Sequence, residues 1–162
     1  MAALGQPRFM DRAAFQVVGL AKRYPPDKLS LIPAQWADLR SQAAYVTGRV
    51  GGDAYGVWYD VLNGENVFTY VTGFVVGAFA PVHPALSRMR IVAQHYAVFA
   101  HTGPIGEIRQ SMDSVLNDWL PKSGRQHARP DPAAPDFFER YGADFNPETG
   151  LGTVEIWLPI KR

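Results

Sequence analysis

A carboxylate stands in the middle of the last β-strand that the sequence predicts. Residues 153–162 read TVEIWLPIKR, and apolar side chains alternate with others from Val154 to Ile160, a period that indicates a strand with one buried face. Glu155 and Trp157 share the opposite face. A carboxylate among aromatic rings could bind a lipophilic cation, because burial disfavours an unpaired charge and ring faces attract cations. The pattern leaves two alternatives open, a solvated glutamate or an ion pair with a nearby arginine.

The elements that would position this face follow from hydrophobic periodicity. Alternating or β-branched runs predict strands, helical spacing with Pro33 and Pro104 near the starts predicts two helices, and Asn63-Gly64 predicts a hairpin turn. The chain before residue 15 is expected to be a flexible lead, 77–88 a linker and 136–145 a short helix or turn. The predicted strands are 15–24, 54–62, 67–76, 90–103 and the last one, and the predicted helices are 32–46 and 103–124.

This order of elements indicates an internal duplication. Strand, helix, strand, strand occurs in about 15–76 and again in about 90–162, with the third element of the second copy degraded. We therefore expect an α+β fold of two βαββ units with pseudo-twofold symmetry, whose antiparallel sheets form a groove backed by helices. The domain would span residues 15–162. When the two predicted halves are aligned with each other, Tyr70 is the counterpart of Glu155. Tyr70 could donate a hydrogen bond to that carboxylate, stack on a ligand or belong to the core.

Other aromatic residues are candidate walls of the groove. Phe68 shares a strand face with Tyr70, and Tyr55 and Tyr59 share a face from which Trp58 points away, as the period of two requires. Trp157 could be a platform for a ligand or ordinary packing. The full set of predicted ligand-binding residues is Glu155, Trp157, Tyr70, Tyr55, Tyr59, Phe68 and Tyr141.

Composition excludes several classes of function. The 162 residues carry a net charge of +1 and no cysteine, which argues against a nucleic-acid-binding surface, disulfides and thiolate metal sites. His95 and His101 lie roughly 20 Å apart along a strand, too far to share a metal ion. The chain has no run of eighteen apolar residues and no signal-peptide core. We expect no metal, no cofactor, no membrane partner, no direct contact with nucleic acid and a cytoplasmic location.

Several segments together resemble the GyrI-like, or AraC-type effector-binding, domain family. They are RIVAQHYAVFAHTGPI, NDWLP, FFERYGADF and VEIWLPIK, with VVGL, GVWYDV and FTYVTGFVV in the first half. The resemblance implies the duplicated βαββ fold, a groove for amphipathic and often cationic molecules, and a buried glutamate on the last strand as the ligand anchor. Glu155 occupies the matching position. Regulators of this family also carry a DNA-binding domain, which we do not expect in this chain.

Three functions fit these expectations. The first is a binding protein that sequesters or senses amphipathic, cationic compounds of the multidrug type. The second is an enzyme, because some GyrI-like proteins hydrolyse cyclopropane-bearing genotoxic compounds, and Glu155 would then act as the acid–base group. The third is a protein-interaction module that contacts gyrase or a separate regulator, and a homodimer is also plausible. The sequence does not separate binding from turnover, although it favours a protein that is not an enzyme.

Overall fold

The fold is an α+β arrangement of one open antiparallel sheet and two helical segments. The computed structural model describes residues 4–61, 67–78, 80–130 and 133–162. The strands in this described part are β1 (Arg8–Arg12), β2 (Phe15–Tyr24), β3 (Arg49–Tyr59), β4 (Phe68–Val76), β5 (Ser87–Ile91), β6 (Gln94–Ala100), β7 (Phe137–Tyr141) and β8 (Val154–Ile160). Helix α1 spans Ile32–Ser41. The second helical segment runs through α2 (Ile108–Asp113), a π-helical stretch (Ser114–Trp119) and α3 (Leu120–Lys122).

The strand order supports the predicted duplication. The sheet runs β1-β6-β8-β7-β3-β4-β2-β5, so that β2-α1-β3-β4 and β6-α2-β7-β8 are arranged alike on either side of the β3–β7 contact. The two halves form one continuous sheet, because β3 and β7 pair directly, with Gly56 opposite Glu139.

Three local predictions were wrong. Residues 8–12, expected to be a flexible lead, form β1 and pair with β6. The expected single strand at 90–103 is divided into β5 and β6. The segment expected to be a helix or turn at 136–145 contains β7, which the neighbouring strands β3 and β8 hold in an extended conformation. The predicted hairpin turn at Asn63-Gly64 lies outside the described residues, although β3 and β4 pair as a hairpin requires.

Short connections force the sheet to curl. In a flat sheet β1 and β2 would lie about six strand spacings, roughly 29 Å, apart. Only Ala13 and Ala14 join them, and the three Cα steps from Arg12 to Phe15 reach about 11 Å at most. The connection from β5 to β6 imposes the same constraint. The sheet edges therefore approach each other, and one sheet face becomes a closed interior.

The two sheet faces bury different apolar clusters. On the helix face, the strands pack against the helical segments through a cluster that includes Trp58, Tyr70 and Ile156. On the inner face of the curl, a second cluster includes Tyr55, Phe138 and Trp157. Gln35 fixes α1 to the sheet, because its side-chain amide donates to the carbonyl oxygens of Leu20 and Tyr70. No helix among the described residues combines the length and apolar character needed to cross a membrane.

Candidate functional site

A cavity of about 670 Å³ lies between the helices and the sheet. This volume is within the range of small-molecule sites in proteins. The helices therefore form part of the cavity wall, whereas the sequence predicted that they would lie behind the strands. Most of the lining is apolar or aromatic, and it includes Leu29, Ile32, Trp36, Trp58, Phe74, Ile105, Ile108, Met112 and Phe145.

The sheet side of the cavity carries a buried carboxylate, Glu139 of β7, which is 2 % exposed. Its Oε1 accepts hydrogen bonds from the hydroxyls of Tyr70 at 2.7 Å and Tyr141 at 2.9 Å. Its Oε2 accepts one from the indole nitrogen of Trp58 at 3.1 Å. A carboxylate can accept about four hydrogen bonds, so Oε2 retains capacity for a further donor or a cation.

Glu139 has no cationic partner in the described part of the chain. None of the Lys, Arg or His nitrogens there lies within 4.0 Å of its carboxylate. Burial raises the pKa of Glu139, although the three hydrogen bonds act in the opposite direction. Burial and the neighbouring Glu139 also raise the pKa values of Tyr70 and Tyr141 well above the usual value for tyrosine. Both phenols therefore stay protonated and donate to the carboxylate.

An absent side chain makes this arrangement possible. Gly56 of β3 lies opposite Glu139 in the β3–β7 register, and Tyr70 on β4 reaches across it. A Cβ atom at position 56 would stand 2.2 Å from Tyr70 Oη and 2.6 Å from Glu139 Oε1. Both distances are far below van der Waals contact, so the hydrogen bond between Tyr70 and Glu139 requires glycine here. Trp36 of α1 completes the group by donating from its indole nitrogen to Tyr70 Oη at 3.2 Å.

The structure separates the predicted site residues between the two sheet faces. Tyr70 and Tyr141 line the cavity. Phe68 belongs to the helix-face cluster and lies 6.4 Å from Trp58 between ring centroids, but it is not among the lining residues. The remaining predicted residues, Glu155, Trp157, Tyr55 and Tyr59, point to the inner face, away from the cavity.

On the inner face, Glu155 is paired with arginines of the same chain. Its carboxylate accepts from Arg8 at 2.7 Å, from Arg140 at 2.8 Å and from the Trp157 indole at 3.1 Å. Burial acts to raise the pKa of Glu155, but these hydrogen bonds, with that of Arg140 foremost, hold the pKa below its usual value. This is the ion-pair alternative that the strand pattern left open.

The aromatic rings beside Glu155 are also occupied by a cation of the chain itself. The Arg12 guanidinium lies 3.8 Å from the centroid of the Phe15 ring, 5.1 Å from that of Tyr55 and 5.2 Å from that of Trp157. It also donates to Tyr55 Oη at 2.9 Å. The carboxylate and aromatic rings of this face therefore do bind cations, as expected, but the cations are Arg8 and Arg12 of β1.

Glu139 and Gly56 are not among the site residues that the sequence predicted. In the run from Phe137 to Tyr141, Glu139 stands two positions from an aromatic residue on either side, and that spacing could have indicated a strand face with a carboxylate between two aromatic residues. The alignment of the two halves also placed Tyr70 and Glu155 together, although they point to opposite faces. If two strands are aligned with an error of one residue, each side chain is assigned to the wrong face of the sheet.

We predict that Glu155→Gln destabilises the fold and leaves ligand binding intact. Loss of charged hydrogen bonds to Arg8 and Arg140 should lower the free energy of unfolding at neutral pH by about 1.5–3 kcal/mol. The pKa of Glu155 is lower in the folded protein than the ordinary value of 4.5 expected in the unfolded chain. Its contribution to the free energy of unfolding is therefore present above the unfolded pKa and is lost as the pH falls through the folded pKa.

Urea unfolding of wild type and variant at pH 7 and at pH 3 measures the change in stability and its dependence on pH. We expect the two proteins to differ at pH 7 and the difference to be smaller at pH 3, below the unfolded pKa. Unchanged stability together with lost cation binding would contradict this prediction and would indicate that Glu155 is the ligand anchor.

Fold and site together define a class of protein, an α+β ligand-binding domain with an apolar cavity and a buried polar group. The chain belongs to the family of the GyrI-like small molecule binding domain, whose model matches residues 5–161. It is 30% identical over 157 residues to the transcriptional regulator BrlR of Pseudomonas aeruginosa, a match that covers 94% of this chain and 54% of BrlR. The chain thus spans about half the length of this curated relative.

Several solved structures share this fold. SAV2435, solved bound to tetraphenylphosphonium, has a TM-score of 0.73 at 19% identity over 97% of this chain and 94% of its own. The C-terminal domain of EcmrR has a TM-score of 0.67 at 17% identity, covering 97% and 98%. The integron cassette protein VCH_CASS2 of Vibrio cholerae has a TM-score of 0.64 at 15% identity, covering 99% of each chain.

Proposed function

We propose that this protein binds amphipathic, cationic small molecules in the helix-side cavity, with Glu139 as the counter-charge. The observation that carries the proposal is a carboxylate 2 % exposed, held by three neutral donors and without an ion-pair partner in the described residues, on the wall of a 670 Å³ apolar cavity. The sequence assigned this role to Glu155. We assign it to Glu139, because Glu155 is already paired with two arginines.

The energetics of the cavity favour a lipophilic cation. Burial disfavours the charged form of Glu139, and a cation that enters the cavity compensates for the lost hydration of that charge. The aromatic rings of Trp36 and Trp58 line the same cavity, and each ring face in contact with a cation adds about 0.5–2 kcal/mol. The apolar lining contributes by burying the hydrophobic part of the ligand, at roughly 25 cal/mol per Å².

The relatives support a sensing or sequestering role. SAV2435 was solved with tetraphenylphosphonium, and BrlR is a transcriptional regulator. We propose that this chain responds to compounds of the multidrug type, either alone or together with a separate regulator. A homodimer and a cytoplasmic location, both expected from the sequence, stay predictions.

The proposal is tested by comparing two ions of matched shape and opposite charge. Tetraphenylphosphonium and tetraphenylborate are titrated into the wild-type protein in a calorimeter at neutral pH. We expect a dissociation constant of about 1 μM, or about 8 kcal/mol of binding free energy, for the cation. We expect the borate to bind at least about tenfold more weakly, a difference of about 1.4 kcal/mol. Equal affinities, or no binding of the cation, would refute the proposal.

A hydrolase is a second candidate, and the environment of Glu139 favours it. A carboxyl group with a raised pKa can serve as a general acid at moderate pH, and the two tyrosine hydroxyls could orient a substrate. A strained electrophile, such as a cyclopropane-bearing model compound, would be incubated with wild type and with Glu139→Gln. Turnover that the variant abolishes supports this candidate, and saturable binding of the intact compound without turnover rejects it.

A further inference from the structure

Two arginines line the same cavity from its helical walls. Arg40 lies in the last turn of α1 and Arg109 at the beginning of α2, and both line the cavity. Both are exposed to solvent, whereas Glu139 is buried. The cavity therefore has a carboxylate at its sheet side and positive charges at its solvent side.

Neither arginine is neutralised by the part of the chain that the structure describes. The hydrogen bonds and ion pairs found there engage Arg8, Arg12, Arg49, Arg88, Arg129, Arg140 and Arg162, and Arg125 lies over the ring of Phe9. Within the described ranges, Arg40 and Arg109 have no such contact. Glu139 is the acidic residue among the described lining residues, so their formal charges sum to +1 when Glu139 is ionised.

This charge distribution disfavours a simple cation as the best ligand. A cation bound at Glu139 gains from the carboxylate but meets two positive charges at the entrance. A ligand with a cationic, aromatic body and an acidic group at its outer end would satisfy both. Charge pairs at exposed positions are individually weak, and two arginines acting on one carboxylate can together change affinity by roughly five- to tenfold.

We propose that Arg40 and Arg109 form an anion-binding rim, and that the preferred ligands are amphipathic zwitterions whose carboxylate or phosphate contacts this rim. The proposal rests on the proposed function, because the cationic end of such a ligand is assigned to Glu139. The rim sets which member of a ligand series binds best, whereas Glu139 sets whether the cationic body binds at all.

The test uses tetramethylrhodamine and its methyl ester, which share a cationic xanthene and differ in whether the carboxyl group is free. Fluorescence anisotropy gives the affinity ratio of acid to ester for the wild type, Arg40→Gln/Arg109→Gln and Glu139→Gln. The matched control is Arg23→Gln/Arg90→Gln, which removes the same charge from exposed residues outside the cavity.

We expect the wild type and the control to bind the acid roughly five- to tenfold more tightly than the ester at low salt. In Arg40→Gln/Arg109→Gln this preference should vanish, with the ester binding unchanged or slightly more tightly. Added salt should reduce the wild-type preference, because exposed charges are screened. An ester that binds the wild type as well as the acid does, or a preference that survives in the rim variant, overturns the proposal.

The Glu139→Gln arm separates this proposal from the function on which it rests. If Glu139→Gln weakens both dyes by a similar factor, the carboxylate has its proposed role whatever the acid-to-ester ratio is. If it weakens neither dye while the rim variant still removes the preference for the acid, the rim proposal holds and the proposed role of Glu139 fails.

Discussion

Glu139→Gln should weaken the binding of tetraphenylphosphonium by about a hundredfold to a few thousandfold. Removing one partner of a desolvated charge pair costs about 3–5 kcal/mol, which corresponds to this range of affinity. Glutamine has nearly the same shape and can still accept from the tyrosine hydroxyls, so the fold and the cavity should persist. Calorimetric titration of wild type and variant measures the difference, and Glu155→Gln is the matched control because it removes the same charge from the other sheet face.

The pH dependence of binding gives an independent test of the same group. Burial raises the pKa of Glu139 above the ordinary value of 4.5, and a cation requires the ionised form. Affinity for tetraphenylphosphonium should therefore fall as the pH falls through this raised pKa, and the affinity of Glu139→Gln should not. Binding that is independent of pH in both proteins would show that Glu139 is not the counter-charge.

The stability of the free protein should change with pH in the opposite sense. A carboxyl group whose folded pKa is raised is penalised when ionised, so its contribution is most favourable below the unfolded pKa and is lost as the pH rises through the folded pKa. Without ligand, the wild type should gain stability relative to Glu139→Gln as the pH is lowered from 7 towards 4.5. Urea unfolding at several pH values measures this trend.

Gly56→Ala should lower the free energy of unfolding by about 2–4 kcal/mol, because it combines overpacking with the loss of a hydrogen bond to a charged group. The new Cβ would lie 2.2 Å from Tyr70 Oη and 2.6 Å from Glu139 Oε1, so one of these groups must move. The same displacement should weaken tetraphenylphosphonium binding by roughly tenfold or more, since 1.4 kcal/mol is one decade. Chemical unfolding and calorimetry measure the two effects.

A control and a rescue make this prediction specific. Gly77→Ala introduces the same methyl group where, chain neighbours aside, no atom of the described residues lies within 4 Å, and it should change stability by no more than about 0.5 kcal/mol. Adding Tyr70→Phe to Gly56→Ala removes the hydroxyl that the methyl group meets, so the two changes should cost less together than their sum. If the Gly56→Ala protein is as stable as the Gly77→Ala protein, Tyr70 or Glu139 can move away from the new methyl group at little cost in free energy, and the prediction is wrong.

Much of the fold followed from local patterns. Periodicity predicted β2, β4, β8 and both helical segments, because alternation and helical spacing record which side of an element is buried. The repeated order of elements led to the duplicated architecture that the strand order of the sheet supports. The elements that were missed, β1 and β7, are five residues long, and pairing with neighbouring strands holds them in place more than their own composition does.

The sequence by itself determined that a carboxylate and aromatic side chains alternate along strands, and that Glu155 and Trp157 share one strand face. Only the tertiary structure decided which carboxylate meets the cavity, because that depends on how the sheet curls and on which face the helices cover. The two-residue connections from β1 to β2 and from β5 to β6 curl the sheet. The inner face therefore encloses Arg12, next to the ion pairs of Glu155. Helix packing leaves the cavity on the other face. Gly56, Tyr70 and Glu139 come from three different strands, and only the pairing of β3 with both β4 and β7 brings them into contact.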